Sequence, residues 1–131
     1  MGRECESCVR SFARVFRAID AFKDALEAPE LRVAGRAKTL EEYLLAEVKP
    51  TEEEMREIKV WFSTLQGDVE SMIRDCQLPD DEAKVLREDI GKIEDALREG
   101  DVTRASIYAT HIEDELRFVL PKYVAEKCQM D

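Results

Sequence analysis

The chain has 131 residues, 30 of them acidic and 20 basic, with one His and a formal net charge of −10 at neutral pH. The length suits a single domain spanning 1–131, and the 44% apolar content is enough to fill a core. No apolar run approaches the ~18–20 residues that a membrane span needs, and the acidic balance argues against nucleic acid as a partner, since phosphate binding needs clustered Lys and Arg.

The first helical stripe runs Cys5, Cys8, Phe12, Val15, Ile19, Phe22, Leu26, with spacings alternating 3 and 4. Pro29 predicts an end near Ala28, because the residue before a proline is pushed out of the helical region. At most one further turn is expected over 30–36. Thr39 with Glu42 reads as a capping box that opens a short helix over 39–48. Its Leu40, Leu44 and Val48 are expected to cover an apolar surface, which could be one of the stripes that fall off the core seam.

Pro50 separates that segment from a second capping box, Thr51 with Glu54. The stripe that follows is Met55, Ile58, Phe62, Leu65, Val69, Met72, Cys76. Pro79 falls in the first turn of the next helix, followed by Asp80, Asp81 and Glu82 at its positive end. Ala83, Leu86, Ile90, Ile93 and Leu97 form its apolar face. Gly100 then Asp101 predicts a tight turn between two antiparallel helices. The last helix carries Val102, Ala105, Ala109, Ile112, Leu116, Val119 and Tyr123, and Pro121 is expected to kink or restart it.

The predicted architecture is an all-α, antiparallel up-down bundle. It has four long helices near 4–28, 51–77, 80–99 and 101–127 and one short helix. The alternating spacing favours packing about 20° from antiparallel. Charge is uneven along the chain. Residues 1–38 carry 8 basic and 6 acidic side chains, and residues 39–131 carry 12 and 24. A basic face at Arg10, Arg14 and Arg17 follows, with intramolecular complementarity as its simplest use.

Cys5-x-x-Cys8 is the first candidate for chemistry, together with Cys76 and Cys128. Three of the four fall on apolar stripes, where Cys acts as a small hydrophobe. Disulfides, or a Zn or Fe–S site, are the alternatives. If residues 29–50 remain at the far end of the bundle, all four cysteines converge on one end. If that segment travels the bundle's length, they separate into two pairs. Convergence is the expectation, with Cys8–Cys76 or Cys5–Cys128 as possible staples. The absence of Asn and the 12 Arg against 8 Lys resemble a heat-adapted composition, in which cytosolic disulfides are tolerated.

His111 and Glu115 lie four residues apart, a spacing that places half of a metal site on one helix face. Arg104 and His111 form R-x6-H, which resembles the motif of small all-helical ribonucleases of the HEPN type. Ala105 stands where that family usually carries a polar residue. Acidic pairs at Glu54/Glu57 and in Glu113-Asp114-Glu115 resemble the Mg²⁺-binding pairs of all-α nucleotide pyrophosphatases.

Apolar residues that fall off the core stripes point elsewhere. Val60 and Trp61 on the third helix, and Ile107, Tyr108 and Phe118 on the fifth, suit a partner or homodimer interface. The functional expectation is a soluble, cytoplasmic interaction or assembly module, homodimeric, without catalysis and without a cofactor. A cysteine-based metal or redox responder is the alternative. A Mg²⁺-dependent nucleotide or RNA hydrolase is the third reading.

Overall fold

The computed structural model describes residues 2–128. The elements are α1 (Gly2–Arg36), α2 (Leu40–Leu45), α3 (Glu52–Asp75), α4 (Asp80–Arg98), α5 (Val102–Asp114) and α6 (Pro121–Lys127), with a π-helical turn at Glu115–Val119 between the last two. Among the described residues there is no strand, and no helix is long and apolar enough to cross a membrane. The chain folds as an all-α bundle of four long helical passes and one short helix.

Local chemistry accounts for the boundaries. Thr51 accepts from the Glu54 amide while the Glu54 carboxylate accepts from the Thr51 amide at 2.9 Å, a complete capping box. Thr39 caps α2 in the same way, but Glu42 reaches the Lys38 amide instead of that of Thr39. Gly100 has φ +70°. Its amide donates to Leu97 O, and that of Asp101 donates to Ala96 O, closing the turn between α4 and α5. The same pattern ends α3 around Gln77, whose φ of 51° is left-handed without being a glycine. There the amides of Gln77 and Leu78 bond the carbonyls of Arg74 and Ile73.

Two prolines behave differently from one another. The sequence predicts that α1 ends near Ala28, whereas it runs through a buried Pro29 to Arg36. Pro29 forfeits one backbone bond, and tertiary contacts hold the turns beyond it. Arg32 grips the Glu54 carboxylate through Nε and Nη2 at 3.1–3.2 Å and donates to Lys49 O at 2.8 Å. Pro121 restarts the last helix, as expected of its missing N–H. The preceding turn widens so that the Leu120 amide bonds Glu115 O at 2.8 Å, a five-residue spacing.

One buried cluster draws on every long helix, with Phe22, Ile19, Ile58, Leu65, Met72, Leu86, Ile93, Ile112 and Leu116 at its centre. The four seams between helices are not equally closed. α1 packs extensively on α3, and α4 on α5. α1 and α5 join these two pairs along one edge, where Lys23 bonds Glu113 at 3.1 Å and Arg117 lies 5.2 Å from the Phe16 ring centre. The fourth seam, α3 against α4, is sparse. α3 and α5 therefore stand on a diagonal.

The connection over 37–51 stays at the end where α1 finishes. Cys5, Cys8, Cys76 and Cys128 consequently share the opposite end, bonded as Cys5–Cys128 and Cys8–Cys76 with Cα separations of 4.8 and 4.6 Å.

Candidate docking groove

The sparse α3–α4 seam is open to solvent along most of its length. Three adjoining clefts of about 640, 340 and 320 Å³ run from the turn at 97–100 toward the middle of both helices. The first and second share Lys59, Leu97 and Arg98, and the second and third share Gln66 and Glu94. Phe62, Ile90 and Leu97 form the floor and retain 6–7% exposure, while Leu65, Leu86 and Ile93 behind them retain none. The groove thus reaches the core's outer layer without breaching it.

Its rim is charged in a graded way. At the end beside residue 49, Lys49 pairs with Glu47, Arg98 with Glu94 and Asp95, and Glu99 with Arg104. Among the described residues Arg56 and Lys59 against Glu52 are thus the charges left over, and the rim is weakly basic within a strongly acidic protein. At the other end Arg87 bridges the helices with a two-pronged pair to Glu70, both contacts at 2.9 Å. That pair holds Glu70 below the usual carboxylate range. Gly91 forms part of the wall, and a Cβ there would meet nothing within 4 Å.

Beside the basic end stands α2, none of whose residues is buried. Leu40, Leu44 and Leu45 are 70–78% exposed, and Leu31 on the last turns of α1 is 67% exposed. The expectation that Leu40 and Leu44 would cover an apolar stripe is therefore overturned. Only Val48 of that trio packs on the core. The Tyr43 hydroxyl donates to Glu30 at 3.1 Å, which ties α2 to α1.

The interface candidates drawn from the sequence divide between two sides of the bundle, because α3 and α5 are diagonal. Val60 is exposed, and Trp61 is half-buried over a shallow recess with Arg14, Arg17 and Asp68. Ile107 and Phe118 are exposed on the other side, where Tyr108 packs on the core under Lys92. They do not form one face.

The polar candidates do not converge either. Arg104 pairs with Glu99 at 2.8 Å at the α4–α5 turn, two helical turns from His111. His111 is exposed, edge-on to Tyr108, with Nδ1 3.9 Å from Asp89. Glu115 turns to Glu82, and its Oε2 is buried without a hydrogen-bond partner. Burial, then the Glu82 carboxylate, raises the Glu115 pKa, and burial raises that of Asp89. Glu54 is occupied by Arg32 and Thr51, so no Glu54/Glu57 cation pair forms. No group of three His, Cys, Asp or Glu among the described residues is arranged to hold a metal ion.

Cys8 and Cys76 are 0% and 1% exposed, whereas Cys5 and Cys128 are half-buried. Joined in this way, the four sulfurs offer no thiolate to zinc or an iron–sulfur cluster unless the bonds are first reduced. Beside the buried bond, the Ser11 hydroxyl donates to Asp75, which holds that carboxyl below its ordinary range.

Sequence reasoning assigned Phe62, Ile90 and Leu97 to the core and could not see that the seam above them stays open. No residue marked the opening: Gly91 stands in the wall, but Gly67 interrupts α3 in the same way and lines none of the three clefts. Comparison with known protein families, characterised proteins and solved structures finds no match to this chain.

Proposed function

We propose that the chain is a small helical interaction module, without a catalytic step of its own, whose docking site is the α3–α4 groove. The occupant we assign to it is an acidic amphipathic helix. The observation that carries this reading is a run of three clefts whose apolar floor, Phe62, Ile90 and Leu97, keeps only 6–7% of its surface in contact with solvent beneath a weakly basic rim. Helix-in-groove recognition uses apolar anchors one turn apart against such a floor, with rim charges setting orientation. The surplus base on the rim, in a protein that is acidic as a whole, favours an acidic ligand here.

The test is a titration of ¹⁵N-labelled protein with an acidic amphipathic helical peptide. Amide shifts confined to Met55, Phe62, Gln66, Ile90, Gly91 and Glu94 support the reading. Shifts confined to α1, α5 or α6, or none at millimolar peptide, overturn it. Lys59→Glu should weaken binding without lowering the unfolding midpoint, since Lys59 is exposed on the rim.

A further inference from the structure

We infer that the occupant of the groove is α2 of a second copy of this chain, exchanged reciprocally to give a two-fold dimer. This inference rests on the groove reading above and names its ligand. The chain carries both an unfilled groove and an unburied apolar helix, and the two are complementary in charge. α2 reads Leu-Glu-Glu-Tyr-Leu-Leu over 40–45, with Glu41 and Glu42 and no base. At the groove end it would meet, Arg56 and Lys59 are, among the described residues, the bases not already engaged by a carboxylate, against Glu52. Leu40 and Leu44, one turn apart and 72% and 70% exposed, supply the anchors.

The α2 helix is held away from its own groove. Tyr43 bonds Glu30 on α1, and Arg32 pins the Lys49 carbonyl and Glu54 on the same side. Folding back would break these contacts, while a second molecule can approach without disturbing them. Approach is also electrostatically permitted here. Residues 29–50 contain four acidic and four basic side chains, so the arm is neutral although the chain carries −10. An arm without net charge adds no overall repulsion when it enters the groove of a second copy. Because knob and groove lie at the same end of one chain, a single two-fold operation satisfies both copies at once and leaves no open end.

Sedimentation velocity over a concentration series, on protein with its disulfides intact, tests this. The wild type should show a monomer–dimer equilibrium, and Leu44→Glu should raise the dissociation constant by at least about tenfold. Glu41→Lys and Lys59→Glu should each weaken self-association. An equal mixture of those two variants should restore the dimer, because each exchanged contact then joins opposite charges. Circular dichroism should show all three variants as helical as the wild type, since all three positions are exposed.

A wild type that is monomeric to millimolar concentration overturns the inference, as does Leu44→Glu dimerising like the wild type, or a mixture that stays monomeric. An acetylated peptide of residues 38–50, titrated into Leu44→Glu protein, separates the two levels. If the peptide fills the groove while the wild type is monomeric, the groove reading stands and the dimer falls. If the peptide does not bind and no dimer forms, both fall.

Discussion

At the end where α1 begins, Cys8 and Cys76 are bonded out of reach of water, Ser11 is buried against Asp75, and a second bond ties Cys5 to Cys128. At the other end, α2 buries none of its residues, three of its leucines face solvent, and the α3–α4 seam opens into a groove. Both ends are made of the same helices and comparable apolar sequences. What differs is how each is closed: by covalent bonds at one, and by a few ion pairs around Arg32 at the other. A bundle closed covalently at one end can leave a seam open at the other without losing its fold, and an interaction surface can lie where the packing is incomplete.

The largest effect should come from breaking the closed end. Replacing Cys8 and Cys76 together by Ala should lower the unfolding free energy by roughly 4 kcal/mol, the chain-entropy value for a loop of this length. Urea unfolding measures it. Hydrogen exchange should show the loss in the first turns of α1 and the last of α3, with α2 unchanged. A leucine pair sharpens the same contrast. Leu65→Ala, at a fully buried position, should cost about 2–5 kcal/mol, while Leu44→Ala should stay within about 0.5 kcal/mol of wild type under monomeric conditions.

Titration offers an intermediate effect. Glu115 and Asp89 have raised pKa values in the folded state, from burial and, at Glu115, from Glu82 as well. The stability they contribute is full below the ordinary carboxylate pKa and is lost as pH rises through the raised values. Glu115→Gln keeps a neutral side chain against Glu82 at every pH. It should raise stability near neutral pH by about 1 kcal/mol and flatten the decline measured from acidic to neutral pH. Asp75 runs the other way. Its pKa is lowered by Ser11, so its contribution is present above the ordinary carboxylate value and fades as pH falls. Ser11→Ala should remove part of that acid-side slope.

The smallest effect concerns the turn that closes α3 beside Cys76. Gln77 holds a left-handed backbone, which costs a non-glycine residue about 1 kcal/mol. Gln77→Gly should relieve part of this and raise the thermal midpoint by a few degrees at most. A fall instead would mean that the Gln77 side chain contributes more than its backbone loses.

Much of the architecture was legible in the residues alone. The 3–4 spacing of Ile58, Phe62, Leu65, Val69 and Met72 specifies a helical stripe whatever surrounds it, because periodicity is local. The Thr51–Glu54 box and Gly100 are equally local, since each bonds backbone within one turn. Where Pro29 was concerned, the local rule failed, because Arg32 and Glu54, 22 residues apart, hold α1 beyond it.

Only the tertiary structure decided which seam remained open, which cysteines met, and that α2 was left unburied. Each of these depends on how side-chain volumes and connection lengths combine between residues far apart in the chain. A stripe announces that a helix must bury one face, but the closeness of the neighbouring helix is a property of the whole assembly. For the same reason Phe62, Ile90 and Leu97 read as ordinary core in the sequence, and become the floor of a groove only when α4 packs on α5 more closely than on α3.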